Sequence, residues 1–425
     1  MQYFNTDSLS ILMLGALAVV LVPVLIHSLI YFRDFKATAK RTSVYFAALA
    51  VLTAALAFGY TANHIVLTWV FTEITTLAAG VLIYHHRDTL ALEAVWKYIF
   101  VCAISVTLIF VGILFWSLAL IHCGSSDLSY ANLTLHQQQM NPLWLKLGYI
   151  FIFAGFTAKM GLFPMFTAGI DAKDNAPSPV SAMLSAPLVN LGFTGIYRSY
   201  AVLALSPDGS WARVMMVATA LLTLFIATTY MVKIRNYKRM LAYSSIEHSA
   251  LVILGICFGK AGIMAALLHL LMHSLVKSGL FLQMPQLAKT YGTKMMDSMG
   301  GYLKLNPTGA LTLLLGLFSI TAIPPSGMFI TELKIFIAML ASGHWYVMVL
   351  CALFLTVLIW AICKSIISVI FLPMAEEDEL KAPKIKVSPA ENICILILFI
   401  GAIYLGYFCP GYINELISDA SGLIF

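Results

Sequence analysis

Charged residues are scarce in this chain. Only 10% of its 425 residues are charged, whereas 61% are hydrophobic, and the mean hydropathy is +0.91. Soluble globular domains carry roughly 25% charged residues, so the composition excludes a soluble enzyme and indicates an integral membrane protein. No polar stretch is long enough to fold as a separate soluble domain, so residues 1–425 are expected to form a single transmembrane domain. The net charge of +6 is assigned to loops beside the lipid bilayer, and no nucleic-acid partner is expected.

Metal-binding and redox motifs are also lacking. The seven cysteines are scattered along the chain, with no CxxC pair and no cluster with histidines. They therefore give no support for a zinc or iron–sulfur site. We expect no metal, no cofactor and no catalytic chemistry in the chain itself.

Apolar runs long enough to cross a bilayer recur along the whole chain. A transmembrane helix needs about 20 mostly apolar residues. Runs of this kind lie at 8–32, 43–62, 64–85, 98–121, 148–168, 178–205, 211–232, 241–259, 262–286, 308–341, 345–373 and 391–412. The sequence therefore predicts an all-α membrane protein with about 12 transmembrane helices.

Basic residues between these runs fall mainly on one side of the predicted membrane. They are Arg33, Lys36, Lys40, Arg41, Arg87, Lys233, Arg235, Lys238, Arg239, Lys289, Lys294, Lys304, Lys381, Lys384 and Lys386. The positive-inside rule makes this side cytoplasmic. Both termini are then expected on the outer, periplasmic side of the cell inner (cytoplasmic) membrane.

The predicted helices form two groups of five with matching breaks. In the first group, helices two to six, the fourth helix is interrupted at Gly161 and Pro164. In the second group, helices seven to eleven, the fourth helix is interrupted at Pro324-Pro325. Because five is odd, the groups would cross the membrane in opposite senses, as the inverted repeats of secondary transporters do. The predicted segments are a first repeat at 43–205, a second repeat at 211–373, and a C-terminal loop and last helix at 374–425.

Two charged residues lie inside the apolar runs of the first group. Glu73 is in the third helix, and Lys159 is in the middle of the fifth, far from either end. A charged side chain at mid-membrane depth costs roughly 2.5–3.5 kcal/mol, so a retained one is a candidate for an ion path. A snorkelling lysine and a protonated structural glutamate are the alternatives.

The ninth helix carries a row of titratable residues. His269, His273 and Lys277 are spaced by four residues, so they share one helix face. Two histidines at this spacing could bind a metal, but no third ligand lies nearby in the sequence. Core histidines bonded to backbone carbonyls are another alternative. A row of groups that can change charge near neutral pH fits a proton relay better.

Three further titratable residues lie near the ends of predicted helices. Glu332 follows the Pro324-Pro325 break and has roughly the place in the second group that Lys159 has in the first. Glu247 and His248 open the eighth helix after a basic loop. We expect these two near the surface, as an accessory proton entry.

The segments around these residues resemble a known superfamily. They are TEITTL around Glu73, AKMGLFP around Lys159, NAPSPVSAML at 175–184, YKRMLAYSSIEH at 237–248, HLLMHSLVKSGLFL at 269–282 and IPPSGMFITE at 323–332. The chain is similar to antiporter-like membrane subunits of respiratory complex I, of multi-subunit cation/proton antiporters and of membrane-bound nickel–iron hydrogenases. The segment TEITTLAAGVLIYHHRDTLALEAVWKY resembles the hydrogenase (formate-hydrogenlyase) branch in particular.

The resemblance implies a role for each buried group. Glu73 would pair with Lys159 and adjust its affinity for protons. Lys277 would be the central carrier, with His269 and His273 bridging along a hydrated axis. The far end of this axis would be Glu332, which would pass protons outside or to a neighbouring subunit.

The chain also departs from the pattern of this superfamily. Its members have about fourteen helices, two more than are predicted here. Where many of them read HTWLPDA, this chain reads MFTAGIDA, which keeps Asp171 as an accessory candidate. Where many have a histidine after PVSALL, this chain has Ser185. The link between Lys159 and Lys277 would then rely on water or on Asn190.

These features together predict a proton-translocating subunit of a larger membrane complex. Its movement of protons would be coupled to redox chemistry or to an ion gradient in partner subunits, as in an NADH dehydrogenase-like or hydrogenase-like oxidoreductase. Protons are expected rather than sodium. The alternatives are a subunit of a non-redox cation/proton antiporter or of a proton-driven uptake complex, and a scaffold subunit that has lost transport. The direction of transport stays open.

Overall fold

The computed structural model describes residues 3–34, 37–373 and 389–424, and these fold almost entirely into α-helices. Three isolated β-bridges are found, and no strand is formed by the described residues. The basic residues Lys36, Lys381, Lys384 and Lys386 of the orientation prediction lie outside this part of the chain.

The helices follow one another with short connections. The first half of the chain forms α1 (Ser8–Asp34), α2 (Ala39–Thr61), α3 (Ile65–Ile83), α4 (Thr89–Ile121), α5 (Tyr130–His136), α6 (Pro142–Met160), α7 (Thr167–Asn175), α8 (Ser178–Ser185) and α9 (Pro187–Ala204). The second half forms α10 (Gly209–Met231), α11 (Tyr237–Cys257), α12 (Gly259–Tyr291), α13 (Tyr302–Leu305), α14 (Pro307–Ile320), α15 (Gly327–Ala341), α16 (Trp345–Phe371), α17 (Pro389–Tyr407) and α18 (Gly411–Ser421).

Eleven helical segments of the described chain are long and apolar enough to cross a membrane, one of them made of α8 and α9 together. The shorter helix α14 is also apolar, and with α15 it makes a further, interrupted crossing. The predicted all-α membrane fold with about 12 transmembrane helices is confirmed. The inverted symmetry of the two helix groups stays a prediction.

Both predicted breaks are present. α6 ends at Met160, because Gly161 takes a φ of 82°, a left-handed conformation that favours glycine. α14 ends at Ile320 and α15 begins at Gly327. Lys159 therefore lies in the last turn of α6, and its predicted place in the middle of a helix is wrong. The apolar sequence continues past Gly161, but the helix does not. An ammonium group in this last turn is stabilised by the negative end of the helix dipole.

α11 and α12 form the centre of the fold. The whole apolar window of each is buried by other helices, whereas only 33% of the corresponding window of α16 is buried. Side chains within these windows of α11 and α12 are therefore enclosed by protein on all sides. Polar groups that these helices carry must find their partners within the fold.

Arg198 on α9 anchors the N-terminal helix. It is buried, and its guanidinium group donates hydrogen bonds to both carboxylate oxygens of Asp7 at 3.0 Å. It also donates to Ser10 Oγ at 2.9 Å and to the backbone oxygens of Ala62 and Tyr60 at 2.8 and 3.1 Å. This arginine therefore ties α9 to α1 and to the end of α2.

α15 and α17 pack glycine against glycine. A Cβ atom added at Gly406 would clash with the backbone of Gly327, and one added at Gly327 would clash with Ala402 O. The two backbones can approach this closely only because neither glycine has a side chain. α17 thereby fixes the start of α15, the helix that carries Glu332.

Candidate functional site

Lys159 lies in a polar pocket between α3, α4 and α6. Its side chain is buried, and Nζ donates to Thr76 Oγ1 at 2.8 Å and to Tyr98 Oη at 3.3 Å. Cys102 Sγ lies 3.6 Å from Nζ. The ammonium group also lies over the Tyr98 ring, 5.3 Å from its centroid. The charge of Lys159 is thus surrounded by hydroxyl groups and an aromatic face.

Glu73 is close to this pocket but does not form a contact ion pair with Lys159 among the described residues. Its Oε2 atom is buried and has no hydrogen-bond partner there, while Tyr98 lies within electrostatic range of its charge. Thr76 is one turn from Glu73 on α3. The direct pair implied by the resemblance is therefore corrected, because hydroxyl groups occupy the Lys159 donors. A buried carboxylate oxygen without a protein partner is normally satisfied by water.

The predicted face of α12 is formed. His269, His273 and Lys277 are each at most 1% exposed. Lys277 Nζ donates to Leu241 O at 3.0 Å and to Ser244 Oγ. Both partners are on α11, so Lys277 is bound by neutral oxygens inside the central helix pair.

Glu247 and His248 are deep in the fold, and the prediction of a surface position for them is wrong. They are 4% and 0% exposed. α11 begins at Tyr237, where Asn236 Oδ1 accepts from two backbone N–H groups, four residues before the predicted start. Glu247 therefore lies almost three turns into α11, and it is within electrostatic range of Lys277.

His248 and His269 face each other with fixed tautomers. The Thr331 hydroxyl donates to Met328 O at 2.9 Å, so it can only accept from His269 Nδ1–H, at 2.9 Å. His248 Nε2–H donates to Ile320 O at 3.2 Å. The remaining nitrogens, His248 Nδ1 and His269 Nε2, both present lone pairs and lie 3.2 Å apart. They can form a hydrogen bond only when the pair holds one added proton.

Two carboxylates flank this histidine pair. Glu332 Oε1 lies 3.9 Å from His248 Nδ1, and Glu247 Oε2 lies 3.9 Å from His248 Nε2. Either carboxylate, when ionised, would stabilise an added proton on the histidine pair. Both carboxylates are buried.

The same cluster contains a set of metal-binding atoms. One ligand atom each from His248, His269 and Glu332 lies within 4.8 Å of the others. Two imidazoles and a carboxylate are a ligand set that zinc accepts. The third ligand comes from α15, which is why sequence spacing did not reveal it. A shared proton satisfies the two nitrogens without a metal, so the absence of a metal stays a prediction.

His273 lies between the histidine pair and Lys277. Its ring centroid is 5.5 Å from that of His248, and it is within electrostatic range of Lys277. Both ring nitrogens are buried and have no hydrogen-bond partner among the described residues. A buried imidazole of this kind needs water to satisfy its nitrogens. It can then pass a proton along the row.

Lys173 is a further buried titratable residue, which the sequence analysis did not single out. It lies on α7, is 3% exposed, and lines a small cavity together with Lys159 and Tyr98. Asp171 and Asp174 on the same helix form ion pairs with residues of other segments. Helical spacing could have revealed this lysine, because residue 173 is on the opposite face of α7 from residue 171.

Asp171 belongs to an ion-pair network rather than to the buried row. Its carboxylate oxygens lie 3.2 Å from Lys97 Nζ and 2.5 Å from Arg239 Nη2. Asp174 adds contacts to Arg239 Nε at 3.0 Å and to Lys294 Nζ at 3.3 Å. This network joins α7 to α4, α11 and the connection after α12. The accessory role expected for Asp171 stays a prediction.

Asn190 on α9 contacts the central helix. Its Nδ2 donates to Ser274 Oγ at 2.9 Å, and Ser274 Oγ lies 3.3 Å from Asn190 Oδ1. Asn190 is fully buried, and Ser274 follows His273 on α12. Ser185 is also buried, and its Oγ has no hydrogen-bond partner among the described residues. Neither side chain ionises in water, so neither is a proton carrier by itself.

A larger cavity lies on the side of the basic loops. It measures about 400 Å³ and is lined by both charged and aromatic groups. Its polar lining includes His27, Asp34, Lys238, Lys289 and Glu391. Since one water takes about 30 Å³ in the liquid, several water molecules fit there.

Comparison with known proteins places this arrangement in a family. The model of the family described as NADH:quinone oxidoreductase/Mrp antiporter, transmembrane, matches residues 62–359. This segment covers more than half of the chain and contains every buried titratable group of the row. The chain belongs to this family.

Curated relatives of this antiporter-family chain include hydrogenase components. The hydrogenase-4 component F homolog of Methylacidiphilum infernorum is 32% identical over 276 residues, which cover 64% of this chain and 58% of the relative. Hydrogenase-4 component B of Escherichia coli is 26% identical over 339 residues, covering 77% and 49%. NADH-quinone oxidoreductase subunit N 2 of Rhizobium meliloti is 28% identical over 283 residues, covering 66% and 55%. The chain thus spans about half the length of these relatives. Their names confirm the predicted superfamily and the resemblance to its hydrogenase-type branch.

Two solved structures share the fold of this family member. A chain of the Mrp complex from Dietzia sp. superposes with a TM-score of 0.83 at 19% identity, covering 99% of this chain and 84% of that one. A chain of the membrane-bound sulfane sulfur reductase, an archaeal respiratory membrane complex, gives a TM-score of 0.83 at 25% identity, covering 96% and 82%. The first likeness concerns the fold alone.

Proposed function

We propose that this chain is the proton-translocating, antiporter-like subunit of a multi-subunit membrane complex. The observation that supports this best is a row of titratable groups inside the fold, of which His269, His273 and Lys277 lie on α12, whose membrane-spanning part is fully enclosed by protein. A scaffold would gain from replacing buried charges with apolar side chains. The row consists of Glu73, Lys159, His269, His273, Lys277 and Glu332, with Glu247 and His248 added by the geometry.

The second half of the row forms a chain of proton-binding groups. It runs from Lys277 through His273 and the His248–His269 pair to Glu332. His269 and Lys277 are eight residues apart, so they span about 12 Å along the helix. The hydrocarbon core of a bilayer is about 30 Å thick, so water must extend the path at both ends. The 400 Å³ cavity offers room for that water on the side of the basic loops.

The driving reaction takes place in partner subunits under this proposal. The chain supplies no cofactor, and it is a translocase subunit of an NADH dehydrogenase-like or hydrogenase-like oxidoreductase. Support comes from relatives named as hydrogenase and NADH-quinone oxidoreductase components. The second candidate is a subunit of a non-redox cation/proton antiporter, which the family description also includes.

We also propose an orientation and an internal symmetry. Both termini lie on the periplasmic side of the cell inner membrane, because the basic residues of the loops mark the cytoplasmic side. Residues 43–205 and 211–373 are inverted repeats, and the matching breaks in α6–α7 and α14–α15 support this assignment.

The experiment that tests the function uses Lys277. Arginine keeps the positive charge but does not release its proton in a protein. Lys277→Arg should leave the complex assembled and stop proton uptake by vesicles that hold it. Lys260→Arg is the matched control, because Lys260 is an exposed lysine on the same helix. Near-normal uptake by the assembled Lys277→Arg complex would remove Lys277 from the path.

A further inference from the structure

The side chain of Lys173 on α7 is buried in the fold. No hydrogen bond or ion pair to its Nζ is formed by the described residues, although the side chain is only 3% exposed. A buried charge normally pairs with an opposite charge or with several acceptors, because its desolvation is otherwise expensive. A lysine left in this state is a candidate for a functional group.

The position of Lys173 does not follow from the ion pairs of α7. Asp171 and Asp174 are three residues apart, so they share a face, and both bind cations of other segments. Residue 173 is about 200° around the helix from residue 171. The ion pairs therefore turn Lys173 towards the interior. They also hold it there.

Lys173 lies next to the pocket of Lys159. Both lysines line one small cavity with Tyr98 and Gly169, and a Cβ atom added at Gly169 would lie 3.8 Å from Lys173 Nζ. The cavity has room for about one water molecule. A single water is enough to carry a proton between two groups that cannot touch.

Lys173 is also near the central row. It lies within electrostatic range of both His273 and Lys277. Between the two halves of the chain, Ser185 and Asn190 occupy the places where the link was expected, and neither can take up and release a proton. Lys173 is the titratable group that approaches both the Lys159 pocket and the Lys277 row.

We propose that Lys173 carries protons between Lys159 and Lys277, in place of a titratable group at Ser185. The neutral amine accepts a proton from the water of the Lys159 cavity and releases it through water towards His273 and Lys277. No other bond forms or breaks. Because like charges repel strongly in a low-dielectric interior, a proton on Lys173 favours release of the proton on Lys277.

This inference rests on the proposed function, and its test separates the two. In the assembled complex, Lys173→Arg keeps the charge but cannot release a proton, so proton uptake by vesicles should fall about 100-fold, at the low end of the general acid–base range. Lys173→His keeps a group that can exchange protons, and it should retain a large part of the uptake. A lysine with a purely structural charge would give the opposite order.

A rescue and a control complete the test. Ser185→His, added to Lys173→Arg, should restore uptake, because it returns a titratable group to the gap from α8. Lys260→Met, at an exposed site of α12, should change nothing. Normal uptake by Lys173→Arg, alongside blocked uptake by Lys277→Arg, would overturn the role of Lys173 and leave the proposed function standing. Normal uptake by both variants would overturn the proposed function itself.

Discussion

His248 Nδ1 and His269 Nε2 face each other at 3.2 Å, and neither nitrogen carries a hydrogen in the neutral rings. Their other nitrogens are committed to Ile320 O and to the Thr331 hydroxyl. The pair therefore has room for one proton more than two neutral imidazoles hold. The groups that face it are Glu247 on its own helix, His273 and Lys277 on α12 and Glu332 on α15. Under the proposed function, this pair would hold one shared proton in transit.

Removing either histidine of this pair should block transport. Glutamine can donate and accept hydrogen bonds but cannot carry a proton at neutral pH, so His248→Gln and His269→Gln should each reduce proton uptake about 100-fold or more. The assembled complex should persist. His122→Gln is the control, because His122 is exposed at the end of α4. Full transport by both pair variants would make the pair a packing feature.

Lys159 and Glu73 should differ in their effects. Lys159→Met removes the ammonium group from the pocket of Thr76 and Tyr98, and it should abolish proton uptake. Glu73→Gln should only slow uptake, because Glu73 does not touch Lys159 directly. Vesicles with the assembled complex give the rates, and Lys146→Met on the same helix is the control, since its surface ion pair with Asp208 is worth about 0–1 kcal/mol. Coupled transport at the normal rate in Lys159→Met would contradict the assignment of Lys159 to the proton path.

Protons rather than sodium should be the transported ion. The buried row offers lysines, histidines and carboxylates but no cage of oxygen atoms of the kind that hard cations need. The transport rate of reconstituted vesicles at fixed pH should therefore be independent of sodium concentration, with choline chloride keeping the ionic strength constant. A rate that rises and saturates with sodium would instead favour the cation/proton antiporter.

Arg198 should matter for stability rather than for transport chemistry. Arg198→Met removes the hydrogen bonds to Asp7, Ser10, Tyr60 and Ala62 and leaves the Asp7 carboxylate without its cation. Hydrogen bonds to charged groups contribute roughly 1.5–3 kcal/mol each, so the variant should unfold in detergent at a clearly lower temperature than the parent. Arg213→Met changes an exposed arginine and should leave the unfolding temperature unchanged. Equal unfolding temperatures for the two variants would contradict the anchoring role.

The sequence predicted the helices well because long apolar runs have few alternatives in a bilayer. Glycine and proline in the runs also located both breaks. The exact helix ends were harder to predict. Lys159 was expected in mid-helix because the apolar run continues past Gly161, although α6 ends there. Glu247 lies deeper than the apolar run indicates, because the Asn236 cap starts α11 four residues before that run.

The candidate site was predictable only where its residues lie on one helix. His269, His273 and Lys277 share a face through their spacing alone. The approach of His248 to His269, and of Glu332 to both, depends on how three helices pack, and no spacing in the sequence encodes it. Lys173 was missed for a similar reason, because its burial follows from ion pairs that α7 makes with distant segments.

The contact between Gly327 and Gly406 gives α17 a structural role that its apolar composition does not indicate. A chain cut before Pro389 would still contain every titratable residue of the row. It would lose, however, the backbone surface against which α15 rests, and with it the placement of Glu332 at 3.9 Å from His248. Apart from Glu391 in its first turn, α17 carries no charged residue. A single methyl group at Gly406 would nevertheless push α15 away from α17 and displace the Glu332 carboxylate.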